Sequence, residues 1–104
     1  MNDRYILIDT TGKTEVIIND KGDSLQFAYD AIGCEYVELA RIGNSFALLV
    51  DEEGLFKPDP QYNALASHLA NTRIVGKAVL VRIEGEEIKG LTDKQIELEE
   101  WLPF

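Results

Sequence analysis

Residues that carry most enzyme chemistry are scarce in this 104-residue chain. Cys34 is the only cysteine, so an intramolecular disulfide is excluded and a reducing compartment is indicated. His68 is the only histidine, which excludes every metal motif that needs two. No serine lies in a G-x-S-x-G motif, and no glycine-rich phosphate loop occurs. We therefore predict a protein that is not an enzyme, with no catalytic residue, no metal ion and no cofactor.

Basic residues are also few, because 10 lysines and arginines stand against 19 acids, a formal charge of -9. This charge opposes attraction to phosphate backbones and anionic lipids, so we expect no direct binding to nucleic acid or membranes. The same charge can steer an acidic protein to a basic surface of another protein. The alternative interpretation is that the charge only keeps the protein soluble.

Long apolar runs are missing as well. No run approaches the roughly twenty residues that span a bilayer, and the first residues do not resemble a signal peptide. We expect a cytoplasmic protein. Since hydrophobic residues still make up 45% of the chain, residues 1–104 should fold as a single domain around one core.

A hairpin and a helix are predicted at the start of the chain. RYILID and TEVIIN are rich in β-branched residues and flank a turn, which is the pattern of a β-hairpin. Asp23 and Gln26 have the spacing of a helix capping box, and Gly33 suits the left-handed C-terminal cap. Helical spacing places four side chains on one face of the helix: Leu25, Ala28, Tyr29 and Ile32.

The remaining segments complete an α+β pattern. EYVELARI and SFALLVD flank Gly43-Asn44 and predict a second hairpin, with ALLV inside the sheet. Asp59-Pro60 is a helix-start signal and predicts a helix through QYNALASHLA that buries Tyr62, Leu65, Ala66 and Leu69. AVLVRIEG predicts a strand, and TDKQ a capping box for a terminal helix ended by Pro103. The order β-β-α-β-β-α-β-α predicts a mainly antiparallel sheet of about five strands, with two or three short helices against one face.

Three consecutive acids, Asp51, Glu52 and Glu53, follow the ALLV segment. An EF-hand is excluded because carboxylate or amide residues do not recur at alternate positions toward a distal glutamate. Adjacent acids on an emerging strand point to alternate sides, so they do not form the two-carboxylate pair of a hydrolase. We predict a charged turn.

Acids and aromatic residues are combined in the C-terminal segment EGEEIKGLTDKQIELEEWLPF. An acidic surface bordered by aromatic residues is typical of a protein-docking patch, and the candidates are Glu97, Glu100, Trp101 and Phe104. The alternative is a solvated acidic face, with Trp101 packed against the sheet.

Five motifs follow one another along nearly the whole chain: YILID…EVIIN, YVELARI, ALLVDEEGLFK, IVGKAVLV and LTDKQI. In this order they resemble the small domain of unknown function 3846, a family of phages, prophages, plasmids and their hosts. The resemblance implies a mobile-element protein that acts by binding in the cytoplasm of a bacterial host cell. If the family shares a site, the matching positions are Asp51, Glu53, Gly54, Asn63 and Gly76.

Three functions are compatible with these observations. The leading hypothesis is a non-enzymatic accessory protein of a phage or mobile element that binds a host protein and blocks a defence system. A second is a sponge for a nucleotide signal, in which Tyr62 and Asn63 hold a phosphate at a helix N-terminus and Arg73 adds positive charge. A third is an acidic mimic of DNA that occupies a basic groove.

Overall fold

The computed structural model describes residues 3–20 and 22–98. Within them the strands are β1 (Asp3–Ile8), β2 (Thr14–Asn19), β3 (Val37–Ile42), β4 (Phe46–Asp51), β5 (Ala78–Glu84) and β6 (Glu87–Lys89). The helices are α1 (Ser24–Ile32), α2 (Ala64–Ala70) and α3 (Asp93–Leu98), and a single 3₁₀ turn spans Gly54–Phe56. The predicted α+β class and element order are confirmed, with β6 as an additional short strand.

All described strands pair in one antiparallel sheet with the order β2-β1-β5-β4-β3, and β6 pairs with the end of β5. Leu80 of β5 lies between Ile6 of β1 and Leu48 of β4. A strand enclosed on both edges and both faces needs apolar side chains at consecutive positions. This position explains the continuous apolar run in β5.

The sheet is covered on both faces, so the predicted placement of the helices against one face is wrong. The α1 side buries Tyr5, Ala28, Leu49 and Val79 with their neighbours. The opposite side packs α2 against the sheet, and Ile96 of α3 joins the same cluster. Because consecutive residues of β4 and β5 point to opposite faces and are both apolar, a single helical layer would leave half of them in water.

The predicted start and end of α1 are confirmed. The Asp23 carboxylate accepts hydrogen bonds from the backbone N–H groups of Leu25 and Gln26, both at 3.1 Å. Gly33 closes the helix in the left-handed conformation, with φ of 80°. On the predicted face Ala28 is buried and Leu25 is exposed, and Phe27 packs its ring against Tyr5.

Helix α2 starts later than the Asp59-Pro60 signal predicts. Asn63 is the N-cap, and Asp59 is itself left-handed, with φ of 57°. The intervening residues stay extended because the Gly76 N–H donates to the Gln61 carbonyl at 2.7 Å. Tyr62 therefore forms a bridge with Val75 and is exposed, which makes its predicted burial wrong.

The capping box of α3 is confirmed, since the Thr92 N–H donates to Gln95 Oε1 at 2.9 Å and the Gln95 N–H donates to Thr92 Oγ1 at 3.1 Å. No helix in the described part of the chain is long and apolar enough to span a membrane. Of the predicted docking patch, Glu97 is exposed on α3. Glu100, Trp101 and Phe104, like the stop at Pro103, lie outside the described residues.

Candidate functional site

A cleft of about 560 Å³ opens between the C-terminal end of α1 and the turn that follows β4. We call it the Asp51 cleft. Two segments form it, residues 29–36 from one side and residues 51–57 from the other. Its lining consists of Tyr29, Asp30, Gly33, Cys34, Glu35, Tyr36, Asp51, Glu53 and Lys57.

The ion pair between Asp51 and Lys57 forms one wall of the cleft. Lys57 Nζ lies 2.6 Å from Asp51 Oδ2, and the Glu53 N–H donates to Asp51 Oδ1 at 2.9 Å. The Asp51 side chain is only 9% exposed, whereas that of Lys57 is 50% exposed. The hydrogen bond to Asp51 raises the pKa of Lys57, so the ammonium stays charged through the neutral range.

Gly54 allows the chain to turn back and bring Lys57 to Asp51. A Cβ atom at Gly54 would lie 2.6 Å from Val75 Cγ2, so a larger residue would push the 3₁₀ turn away from the core. The close approach explains a glycine here without any special backbone angle. Gly54 therefore positions the site and is itself buried.

Two tyrosines line the opposite wall. Tyr29 is half-buried near the end of α1, and Tyr36 is exposed just before β3. The Glu52 N–H donates to the Tyr36 carbonyl at 3.0 Å and extends the β3–β4 pairing beyond Val37 and Asp51. The hairpin thus fixes the spacing of the two walls.

Cys34 lies in the same cleft as a half-buried thiol. Burial, and to a lesser extent the Asp51 charge, raise the pKa of the Cys34 thiol, while Lys57 and a hydrogen bond to the Tyr36 backbone lower it. The net direction is upward, so the thiol is protonated at neutral pH. Protonation disfavours a nucleophilic role, because the thiolate is the reactive form.

The charges of Asp51 and Lys57 should shift the pKa of the Cys34 thiol in opposite directions. We expect the pH midpoint of Cys34 alkylation to lie above that of an unperturbed thiol. Asp51→Asn should lower the midpoint because it removes a negative charge, and Lys57→Gln should raise it because it removes a positive one. Alkylation rates of the three proteins against pH measure this. A shift of both variants in the same direction would contradict the described geometry.

Asn63 lies away from the cleft and is fully buried, at 0% exposure. Its Nδ2 donates to the Ile8 carbonyl at 3.1 Å and to the Gly76 carbonyl at 2.9 Å, and its Oδ1 accepts the Ala66 N–H at 3.0 Å. Both donors and the acceptor are used inside the protein. Asn63 therefore connects α2 to the sheet, and we interpret it as a structural residue and not as a ligand-binding one.

The other predicted residues lie in different places. Tyr62 and Arg73 line a second, more open pocket of about 610 Å³, which we call the Tyr62 pocket, together with His68. Gly76 has φ of 78° and borders a small pocket of about 190 Å³ that also includes Asp51 and Gly54. The structure thus brings Asp51 and Glu53 together in one cleft and places Tyr62 outside it, whereas Arg73 also shares a third pocket of about 260 Å³ with Asp51.

Lys57, Tyr29, Tyr36 and Cys34 were missing from the predicted site. Local motifs do not mark them, because they meet Asp51 through the hairpin and the end of α1. The predicted turn at Gly43-Asn44 held the missing information, since a hairpin centred there places residue 36 opposite residues 51–52. The register of that hairpin would have identified Tyr36 as a neighbour of the acids.

The carboxylates of the cleft are not arranged as metal ligands: among the described residues, no three His, Cys, Asp or Glu side chains converge as an ion would require. Fold and site together define a small α+β domain, an antiparallel sheet between helices, with an acidic cleft at one end of the β3–β4 hairpin. The family model of the domain of unknown function DUF3846 matches residues 2–102, and the chain belongs to this family. No curated protein and no solved structure matches the chain.

Proposed function

We propose that this protein is a non-enzymatic binding module whose Asp51 cleft takes a basic segment of another protein. The observation that carries the proposal is the composition of the cleft, in which four carboxylates and two tyrosines surround one lysine. That lysine is already paired with Asp51. Asp30, Glu35 and Glu53 add three carboxylates without a second ammonium among the lining residues, so the cleft offers a ligand net negative charge and aromatic surface.

The net negative charge of the Asp51 cleft favours a cationic ligand. Four carboxylates against one ammonium leave a formal charge of -3 in the cleft, within a chain of formal charge -9. Asp51 is largely buried and neutralised by Lys57, so the exposed Asp30, Glu35 and Glu53 are the groups that a ligand meets. Complementary charge of this kind raises association rates and rejects acidic partners.

The tyrosines favour arginine over lysine in the bound segment. A guanidinium group is planar, stacks on aromatic rings and binds carboxylates through two parallel hydrogen bonds. Tyr36 is exposed and lines the cleft together with Glu35 and Asp51. Tyrosine is also enriched among residues that dominate binding at interfaces.

Other groups of the cleft support binding rather than catalysis. Cys34 carries a raised pKa, and His68 lies in the Tyr62 pocket, so no imidazole is available to activate the thiol. The family resemblance is also our basis for proposing the biological setting of the protein. In this proposal the protein comes from a phage or mobile element, acts in the cytoplasm of a bacterial host, and blocks a host defence protein.

Removing one rim charge should weaken binding of a basic probe. We expect Glu53→Gln to raise the Kd for a capped hexa-arginine peptide about two- to fivefold, since an exposed charge pair contributes about 0.5–1 kcal/mol. Isothermal titration calorimetry of wild type and variant gives the Kd values. Binding should also weaken as salt is raised, because exposed charges are screened.

Glu86→Gln is the matched control, because Glu86 is an exposed glutamate in the turn between β5 and β6, outside the cleft. It makes the same change in net charge and should leave the Kd within error of wild type. If both variants weaken binding equally, the peptide responds to total charge, as a DNA mimic would, and the cleft is not the site.

One observation favours a nucleotide sponge as the second candidate function. Tyr62, His68 and Arg73 line the same pocket. A base could stack on Tyr62 while Arg73 contacts a phosphate. Asn63 takes no part in this form of the proposal, since its amide is used internally. A nucleotide titration that perturbs residues 62–73 and spares the Asp51 cleft would favour this candidate.

A further inference from the structure

The outer edge of β2 lies apart from the Asp51 cleft, since no residue of β2 lines that cleft. Among the described strands, β2 pairs only with β1, so it forms one end of the sheet. Its pairing with β1 is continuous from Thr14 to Asn19, without a bulge. Two of its large apolar side chains face solvent, with Val16 44% and Ile18 55% exposed.

Sheet edges normally carry features that prevent pairing with another chain, such as charges, proline, bulges or a covering element. The opposite edge, β3, fits that rule, since Glu38 and Arg41 are both exposed along it. In β2, Glu15 is the only charged residue, and no proline or glycine interrupts the strand. Isoleucine and valine, which have high β-propensity, fill its centre.

We infer that β2 pairs with β2 of a second copy of this chain, in antiparallel orientation, to form a homodimer with one continuous sheet. The strand is complementary to itself about a two-fold axis through Ile17. In that register Val16 faces Ile18 of the second copy twice, and the two Ile17 residues face each other. Glu15 then faces Asn19, so no like charges are opposed along the strand.

The same register explains the exposed apolar pair. Val16 and Ile18 alternate along β2, so they point to one face of the sheet, the face on which Ile6 packs against α2. Pairing two copies brings four such side chains into one patch on that face. A register centred on Val16 would place Glu15 against Ile17, and one centred on Ile18 would place Asn19 against Ile17. Both lose the two Val–Ile contacts, so apolar matching selects the first register.

Association should be weak and should increase with salt. A single six-residue strand pair buries less area than a permanent dimer needs. Each chain also carries a formal charge of -9, so the two copies repel one another until salt screens them. Binding at the Asp51 cleft has the opposite salt dependence, which separates the failure of one proposal from the failure of the other.

Sedimentation equilibrium of the full chain tests the dimer. The mass should rise with concentration from 11.7 kDa toward twice that value, and the rise should be larger in high salt. Ile18→Lys should raise the dimer Kd by about tenfold or more, since it places a lysine in each of the two Val–Ile pairs. Leu39→Lys on the β3 edge is the matched control and should leave the Kd unchanged. If Ile18→Lys unfolds by circular dichroism, Ile18→Thr replaces it, because threonine keeps strand propensity.

Cross-linking tests the register. In a Cys34→Ser background, Ile17→Cys should form an intermolecular disulfide on oxidation, whereas Val16→Cys and Ile18→Cys should do so only in the registers centred on those residues. A mass that stays at one chain up to about 1 mM overturns the dimer and leaves the edge for a strand of another protein. Dissociation by Leu39→Lys but not by Ile18→Lys or Ile18→Thr would overturn the choice of β2.

Discussion

Asn63→Asp is expected to lower the free energy of unfolding at pH 7 by about 3 kcal/mol, although it changes one atom type and keeps the shape of the side chain. The carboxylate can still accept the Ala66 N–H and cap α2. It can no longer donate to the carbonyls of Ile8 and Gly76, and it would place a buried negative charge against both oxygens. Chemical denaturation followed by circular dichroism measures the loss.

The reverse exchange at the other capped helix is the control. Asp23→Asn changes an exposed N-cap whose carboxylate only accepts hydrogen bonds, and asparagine caps about equally well. We expect a loss below about 0.5 kcal/mol there. The destabilisation by Asn63→Asp should also shrink relative to wild type as pH falls toward about 4, the pKa of a free aspartate, because burial against two carbonyls raises the pKa of the new carboxyl in the folded protein, which then takes up a proton before the unfolded chain does and can donate again. Equal losses for the two variants would show that Asn63 acts only as a cap.

Gly90→Ala is expected to lower the free energy of unfolding by about 2–3 kcal/mol. A Cβ atom at Gly90 would lie 2.9 Å from the Arg4 backbone nitrogen and 3.0 Å from Asp3 Cα, so it would meet backbone that cannot rotate away. Relief requires β1 and the segment after β6 to separate. Separation strains two hydrogen bonds, from the Leu91 N–H to the Arg4 carbonyl at 2.8 Å and from Arg82 Nε to the Gly90 carbonyl at 2.9 Å.

Gly85→Ala provides the comparison for this substitution. Gly85 is left-handed, with φ of 64°, and has open space where a Cβ would lie. Its replacement should lower the free energy of unfolding by only about 1 kcal/mol, from backbone strain alone. Thermal and urea unfolding of both variants measure the difference. A Gly90→Ala protein as stable as Gly85→Ala would contradict the close approach of β1 and the segment after β6.

Local signals in the sequence predicted those elements whose ends depend on neighbouring residues. Asp23, Gly33 and the Thr92–Gln95 box stabilise helix ends through bonds to residues within a few positions, so short motifs contain the whole interaction. Asp59-Pro60 failed as a helix start because bonds from distant residues decide the conformation there. The Asn63 N–H donates to the Ile74 carbonyl at 2.9 Å, a contact between segments that no local pattern describes.

The site was predicted in part for the same reason. Asp51 and Glu53 were visible as acids after a buried strand, but their partner Lys57 was not, because a 3₁₀ turn returns it to Asp51. The sequence did not reveal that Asn63 bridges buried carbonyls, because capping, ligand binding and bridging use the same amide chemistry. Only the position of Ile8 and Gly76 around the side chain distinguishes these roles.

A nuclear magnetic resonance titration of the labelled protein with a capped tri-arginine peptide locates the surface that binds a basic segment. If the Asp51 cleft binds the peptide, the amide shifts should change in residues 33–36 and 51–57, which form the two walls of the cleft. Glu53→Gln should reduce these changes, and Glu86→Gln should not. Changes confined to residues 62–73, changes spread evenly over the acidic surface, or no changes at all would contradict binding in the Asp51 cleft.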